Sequence, residues 1–168
     1  MLINELLKRQ EYNIYDNDEI SKENIDKLAQ VIFSNELDLE KIFDVRKCSN
    51  KFCWKNFLKI LNVASFEDKQ KCMPFVFTLL QDQNWPVYTD AIEYLLQFED
   101  EIINPYILKF LRQAYQEDDE MWIDGIIWLA KEKYKNKNGL QRACENSVKP
   151  QYYKFYWDRI SKKKDRKK

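Results

Sequence analysis

Histidine is absent from the 168 residues of the chain, and glycine and proline are rare, at two and four residues. The serine and cysteine triads, the histidine zinc sites and the facial iron triad all use histidine, so the sequence excludes them. Sandwiches, barrels and dinucleotide-binding folds need glycine at turns and phosphate loops, which argues against them here. The composition therefore favours an all-α protein.

The cysteines also point away from a metal or disulfide framework. They stand at positions 48, 53, 72 and 144, without a second cysteine pair at zinc-ligand spacing. We expect reduced thiols that act as small buried hydrophobes in a cytoplasmic protein. The first ten residues are too polar for a signal peptide, and no run approaches the roughly 18 apolar residues of a membrane span. The sequence predicts no cofactor, no metal and no transmembrane segment.

Apolar residues recur at three- and four-residue spacing almost throughout the chain, which predicts helices. Ser21 is the predicted N-cap of an early helix. Trp85-Pro86 and Asn104-Pro105 are predicted to start later helices, because proline suits the first helical turn. We expect one helical domain over residues 1–161, with short helices near 140–144 and 152–160, and a disordered basic tail at 162–168.

A weak internal repeat refines the predicted architecture. The run at 74–80 aligns with the run at 105–111 at an offset of 31 residues. Each is followed by a polar turn and a tryptophan, Trp85 or Trp122. Stacked helical hairpins of similar design are typical of an α-solenoid. The alternative is an irregular stack of antiparallel helical hairpins.

The segment 79–87 reads LLQDQNWPV. It resembles the hallmark L-Q-D-x-N-W-P-V of a bacterial family of small proteins of unknown function. Glu99 stands where that family often has glycine. The resemblance covers about residues 75–130 and implies short HEAT-like helical pairs, with no activity to carry over. Further matching positions are Ala91, Leu95, Leu96, Phe98, Ile103, Pro105, Asp119 and Trp122.

Charge is balanced overall but unevenly distributed along the chain. Residues 1–130 hold 14 basic and 24 acidic side chains, whereas residues 131–168 hold 14 basic and 4 acidic. The segment 82–124 is the most acidic, with 11 acidic and 2 basic side chains. Such asymmetry is typical of a surface that meets a charged partner. The alternative is that the acidic side chains only keep the protein soluble and bind no partner.

Six residues of the acidic segment are predicted to bind a partner. Asp82, Asn84 and Trp85 share the polar turn, where a structural role is the alternative. In that role Asp82 accepts backbone hydrogen bonds, Asn84 caps the next helix and Trp85 covers the hairpin core. Asp90 and Glu93 lie three residues apart on one helical face. Asp124 belongs to the following hairpin.

The same carboxylates are weak candidates for catalysis. A carboxylate pair needs a cleft that separates the two pKa values, and no pattern in the sequence indicates one. We therefore predict no catalytic residue, while enzymatic activity stays open.

Two functions remain after these exclusions. The first is a non-catalytic HEAT-like interaction module, such as an immunity or regulatory protein whose acidic face blocks a basic partner like a nuclease toxin. The second is a nucleic-acid-binding helical-repeat protein, including DNA repair. Its contact would be the aromatic and basic segment 152–157 beside the tail, which could also dock on the core or on an anionic membrane.

Overall fold

The computed structural model describes residues 3–35 and 37–133. All regular secondary structure in this part is helical, which confirms the predicted all-α class. The HEAT-like arrangement stays a prediction. The expected helices near 140–144 and 152–160, Cys144 and the basic tail at 162–168 lie outside the described residues.

The described α-helices are α1 (Ile3–Leu6), α2 (Lys22–Phe33), α3 (Leu39–Ile42), α4 (Trp54–Val63), α5 (Phe66–Lys71), α6 (Met73–Thr78), α7 (Tyr88–Leu96), α8 (Asp100–Gln116) and α9 (Glu120–Lys133).

The chain forms two compact units, one ending at Tyr94 and the other beginning at Leu95. In the first unit α2 packs against α4. The predicted cap of α2 is confirmed, because Ser21 Oγ accepts a hydrogen bond from the Asn24 backbone N–H at 3.3 Å. The buried side chains of α2 recur every three or four residues, as its sequence predicts: Ile25, Leu28, Ala29 and Ile32.

An aromatic cluster forms part of the core of the first unit. The rings of Phe43, Phe57 and Phe75 pack against one another, with centroids 5.6 to 5.7 Å apart. Tyr15 meets Phe57 edge-on at 6.1 Å, and Phe33 stacks on Phe43 at 6.5 Å. The five rings come from five separate segments, so their burial joins segments that are distant in sequence.

The junction between α6 and α7 differs from the sequence-based prediction. Pro74 lies in the first turn of α6 as expected, and Met73, Val76 and Phe77 are buried. The prediction that Trp85-Pro86 starts the next helix is wrong, since α7 begins at Tyr88. The Trp85 N–H bonds to the Asp82 carbonyl instead, so both residues remain in the preceding turn.

The start of α8 also differs from the prediction. This helix begins at Asp100, and Pro105 lies inside it. Extended Glu99 precedes the helix, and its carbonyl accepts from the N–H groups of Ile102 and Ile103 at 3.0 Å. Proline removes only one backbone hydrogen bond, the one that would reach the Glu101 carbonyl. Because this happens near the helix start, the preceding turn remains helical.

The two aligned sequence runs therefore adopt different local structures. The first lies in a helix of 6 residues and the second in a helix of 17 residues. Trp85 precedes its helix, whereas Trp122 lies inside α9. The repeat in sequence is not a repeat of equal hairpins, and the solenoid stays a prediction.

The second unit contains a helical hairpin of α8 and α9. Asp118 connects the helices with a left-handed backbone at φ 53°. The Asp119 N–H bonds to the Ala114 carbonyl and the Asp118 N–H to the Tyr115 carbonyl, which together make a Schellman motif. Asp119 then caps α9, because its Oδ1 accepts from the Trp122 N–H at 2.9 Å. The turn between the helices is thus acidic throughout, and α9 begins at Glu120.

Lys133 joins the other ends of this hairpin. Its ammonium donates to the Phe98 carbonyl at 2.6 Å and lies 3.4 Å from the Asp100 carboxylate. Only 15% of the Lys133 side chain is exposed. The last residue of α9 is thereby fixed to the residues that precede and begin α8.

Candidate functional site

The turn at 82–85 is closed by its own side chains. Asp82 Oδ1 accepts from the Asn84 backbone N–H at 2.8 Å and from Asn84 Nδ2 at 3.0 Å. The predicted role of Asp82 as a backbone acceptor is confirmed. The predicted capping role of Asn84 is wrong, because α7 begins four residues later at Tyr88. Asp82 is half-buried and Asn84 is exposed.

Trp85 lies over the start of α4. Its ring meets the edge of Trp54, with centroids 4.9 Å apart and planes at 86°. The ammonium of Lys51 lies 5.3 Å from the centre of the same ring. Trp85 is half-buried, whereas Trp54 is only 7% exposed. The tryptophan therefore packs against the first unit and still presents part of its surface to solvent.

Asp90 and Glu93 lie on the outer face of α7, as their spacing predicts. Asp90 is half-buried and Glu93 is exposed. The opposite face of this helix carries the buried side chains Ala91, Ile92 and Leu95. The structure thus brings these two carboxylates to one helical face of the first unit.

Asp124 occupies a different setting on α9. It is half-buried and lies three residues after Met121 and four before Trp128, so the three side chains share one face. Met121 is 48% exposed and Trp128 is 51% exposed. Sequence reasoning missed these two apolar neighbours. Their positions opposite the buried set Trp122, Ile123, Ile126 and Leu129 could have revealed them.

Acidic residues stand at both ends of α8. Residues 99–101 lie at its start and residues 117–120 follow its end. Several of these carboxylates have structural partners: Asp100 is paired with Lys133, Glu117 accepts from Gln113 Nε2 at 2.9 Å, and Asp119 caps α9. A helix of 17 residues separates the two groups, about 25 Å along its axis. The acidic side chains of the α8–α9 hairpin are therefore spread over its length.

The cysteines of the described residues are free thiols at positions 48, 53 and 72. Burial raises the pKa of Cys72 to about 12. Burial, and then the neighbouring Cys53, Asp16 and Asp44, raise the pKa of Cys48 to about 12. A thiol with a raised pKa carries little thiolate at neutral pH, and thiolate is the nucleophilic form. Their environment is that of structural cysteines.

Within residues 3–35 and 37–133, no three side chains of the histidine, cysteine, aspartate and glutamate types are grouped so that they could hold a metal ion. No helix in the same ranges has the length and apolar character needed to cross a membrane.

A family model matches residues 48–152 of this chain, which is more than half of its length. The family is described as a domain of unknown function, DUF5071. The chain belongs to this family. The matched range contains α4 to α9, and with them all six residues of the predicted site. No match was found among curated proteins or among solved structures.

Proposed function

We propose that this member of a family of unknown function is a non-catalytic, HEAT-like protein-interaction module that binds a basic partner through its acidic face. The observation that carries the proposal is the outer face of α9. There Asp124 lies between Met121 and Trp128, two large apolar side chains about half exposed, at 48% and 51%. Tryptophan and methionine are enriched in the buried cores of protein interfaces.

The charge around this face supports a basic partner. Residues 95–133 hold nine acidic and four basic side chains, and one of the four, Lys133, is paired with Asp100. Complementary potentials accelerate association and disfavour partners of the wrong sign. A partner rich in lysine and arginine therefore fits the α8–α9 hairpin.

The first unit carries a proposed contact surface of its own. Asp90 and Glu93 supply its charge on α7, and Trp85 and Asn84 supply partly exposed surface in the preceding turn. Asp82 acts mainly through the shape of the turn, because its carboxylate already accepts two hydrogen bonds from Asn84.

A concrete form of this function is an immunity or regulatory protein in the bacterial cytoplasm. An acidic protein surface can cover the basic substrate channel of a nuclease toxin and block it. The support for this form is the charge of the α9 face and of α7. A toxin gene beside the gene for this chain would be the corresponding genomic observation.

The test is a triple charge reversal, Asp90→Lys, Glu93→Lys and Asp124→Lys, with the full chain as bait in a pulldown from its native host. The matched control reverses three other partly or fully exposed acids, Glu19→Lys, Asp26→Lys and Glu132→Lys. We expect the parent and the control to recover the same basic protein. We expect the triple reversal to slow its association about tenfold or more and to weaken its salt dependence.

A second variant tests the apolar part of the face. Trp128→Ala keeps the charge, and we expect it to weaken binding at least about tenfold, as truncation of a central interface tryptophan does. Circular dichroism and melting curves of each variant show whether it is folded. Recovery of no basic protein, or binding that ignores both the triple reversal and Trp128→Ala, contradicts the proposed function.

A further inference from the structure

A second charged surface, of the opposite sign, runs along α4. Lys51, Lys55 and Lys59 follow one another at four-residue spacing, and Val63 continues the row. Lys51 lies in the short 3₁₀ helix, Lys51–Cys53, that leads directly into α4. Residues at this spacing lie on consecutive turns, with Cβ atoms about 5–6 Å apart. Three ammonium groups therefore form a row on one side of the helix.

Within the described first unit, Lys51, Lys55 and Lys59 form no ion pair with a carboxylate. The ion pairs described in this unit use Lys41, Arg46 and Lys71 as their cations. Lys51 instead places its ammonium over the Trp85 ring. Like charges at four-residue spacing destabilise a helix, so the row is costly until an anionic group lies beside it.

Exposed apolar side chains flank the row. Phe52 is 57% exposed at its beginning and Val63 is 46% exposed at its end. Eleven residues of helix separate them, about 16 Å or three turns. We call Lys51, Phe52, Lys55, Lys59 and Val63 the basic-apolar face. Its pattern is a central strip of positive charge with an apolar contact at either end.

We infer that the basic-apolar face binds an acidic amphipathic helix of a partner protein. Carboxylates at four-residue spacing on such a helix would meet the three ammonium groups in register. Apolar residues about three turns apart would cover Phe52 and Val63. A helix laid against a complementary face is a common mode of peptide recognition. This inference concerns a partner of the opposite charge, and the basic-apolar face adjoins the turn at 82–85 where Lys51 lies over Trp85.

A nucleic acid fits the same face less well. Val63 offers no ring for a base to stack on, whereas stacking is the usual apolar contribution to binding of single strands.

The test measures fluorescence anisotropy of the full chain with three labelled probes. The first is a synthetic 16-residue helical peptide with glutamate at positions 3, 7 and 11 and leucine at positions 4 and 15. The second has lysine in place of each glutamate, and the third is a 12-nucleotide oligothymidine. We expect the acidic peptide to bind at least tenfold more tightly than the lysine peptide and more tightly than the oligonucleotide.

Charge variants then locate the binding. We expect Lys55→Glu with Lys59→Glu to weaken binding of the acidic peptide at least tenfold and to strengthen binding of the lysine peptide. The matched control, Lys8→Glu with Lys22→Glu, makes the same change in net charge at exposed positions of the same unit and should leave both affinities unchanged. Equal effects of the two double variants would overturn the inference, since they indicate attraction to overall charge.

Phe52→Ser tests the apolar contact without removing charge. The side chain is 57% exposed, so we expect an unchanged melting temperature and about threefold to tenfold weaker binding of the acidic peptide. An unchanged affinity contradicts the inference. So does tighter binding of the oligonucleotide than of the acidic peptide, and so does failure of the acidic peptide to bind at millimolar concentration.

Discussion

Trp54 and Trp85 meet edge to face, with ring centroids 4.9 Å apart and planes at 86°. Trp54 begins α4, and Trp85 belongs to the turn before α7. Edge-to-face aromatic pairs add to the stability that burial alone provides. This contact therefore fixes the turn of the proposed site to the helix that carries the basic-apolar face.

Replacing Trp85 by alanine should lower the free energy of unfolding by about 2–3 kcal/mol. The aromatic pair with Trp54, the cation–π contact with Lys51 and partial burial all contribute. Urea titration measures the loss. Trp54→Ala, at a buried ring, should cost about 3–5 kcal/mol, and Trp128→Ala, at an exposed one, less than about 1 kcal/mol. A cost for Trp85→Ala equal to that for Trp128→Ala would show that Trp85 has no structural role.

Asp118→Gly should stabilise the second unit by about 0.5–1 kcal/mol. Asp118 has φ 53°, a left-handed conformation that costs energy for residues with a Cβ atom and none for glycine. Its carboxylate also lies at the negative C-terminal end of α8. Thermal unfolding measures the gain. Asp118→Asn removes the charge but keeps a Cβ atom, so it measures the effect of the charge alone. Glu117→Gly changes a residue with φ −85° and should not stabilise the second unit.

Asn56→Ala should cost about 1–3 kcal/mol, because it removes a hydrogen bond in the core. Asn56 is fully buried, and its Nδ2 donates to the Asn17 carbonyl at 2.6 Å. Among the described residues its Oδ1 has no hydrogen-bond partner. The exposed Asn4→Ala is the matched control and should change stability by less than about 0.5 kcal/mol.

Asn56→Asp should be more damaging than Asn56→Ala at neutral pH, because it buries a carboxylate without a counter-charge. The difference between the two variants should shrink as the pH falls and the new carboxyl becomes protonated. Denaturation midpoints at pH 4.5 and pH 7.5 measure this. A difference that does not depend on pH would mean that solvent reaches position 56.

The stability of the fold should decrease above pH 9. Burial raises the pKa of the Cys72 thiol from 9.0 to about 12. The neutral thiol therefore favours the folded state fully below pH 9, and this contribution is lost as the pH rises towards 12. The loss is up to about 1.4 kcal/mol per pH unit for this one group. Urea midpoints between pH 8 and 10.5 measure the slope.

Cys72→Ala should make the decrease in stability with pH shallower, and should lower stability below pH 9, where the neutral thiol contributes fully. The slope that remains belongs to other buried groups with raised pKa values, among them Cys48 and Tyr15. An equal slope in the parent and in Cys72→Ala would show that the thiol is not protected from titration by burial.

The helical periodicity was sufficient to predict the fold class and much of the core. The buried stripe of α2 and its Ser21 cap follow from spacing and from local hydrogen bonding alone. The starts of α7 and α8 were misplaced because proline was taken as a start signal. In the structure Pro86 lies in a turn closed by Asp82, and Pro105 is tolerated inside a helix whose earlier turn is held by Glu99.

The site was harder to predict, because exposure depends on packing. Spacing correctly placed Asp90 and Glu93 on one face of α7. It did not reveal that Met121 and Trp128 flank Asp124 in solvent, since either could equally have belonged to the core. The sequence does not predict the basic-apolar face for a related reason. A lysine at every fourth position is informative only when the structure shows that these lysines form no ion pair.

Lys133 closes the α8–α9 hairpin at the end opposite the Asp118 turn. Its ammonium contacts residues 98 and 100, so a single side chain connects the end of α9 to the start of α8. Opening either helix end from this side requires breaking the same two contacts. Hydrogen exchange at the start of α8 and at the end of α9 should therefore occur in a single cooperative step. Acetylation of the Lys133 amine would therefore release the start of α8 and the end of α9 from each other.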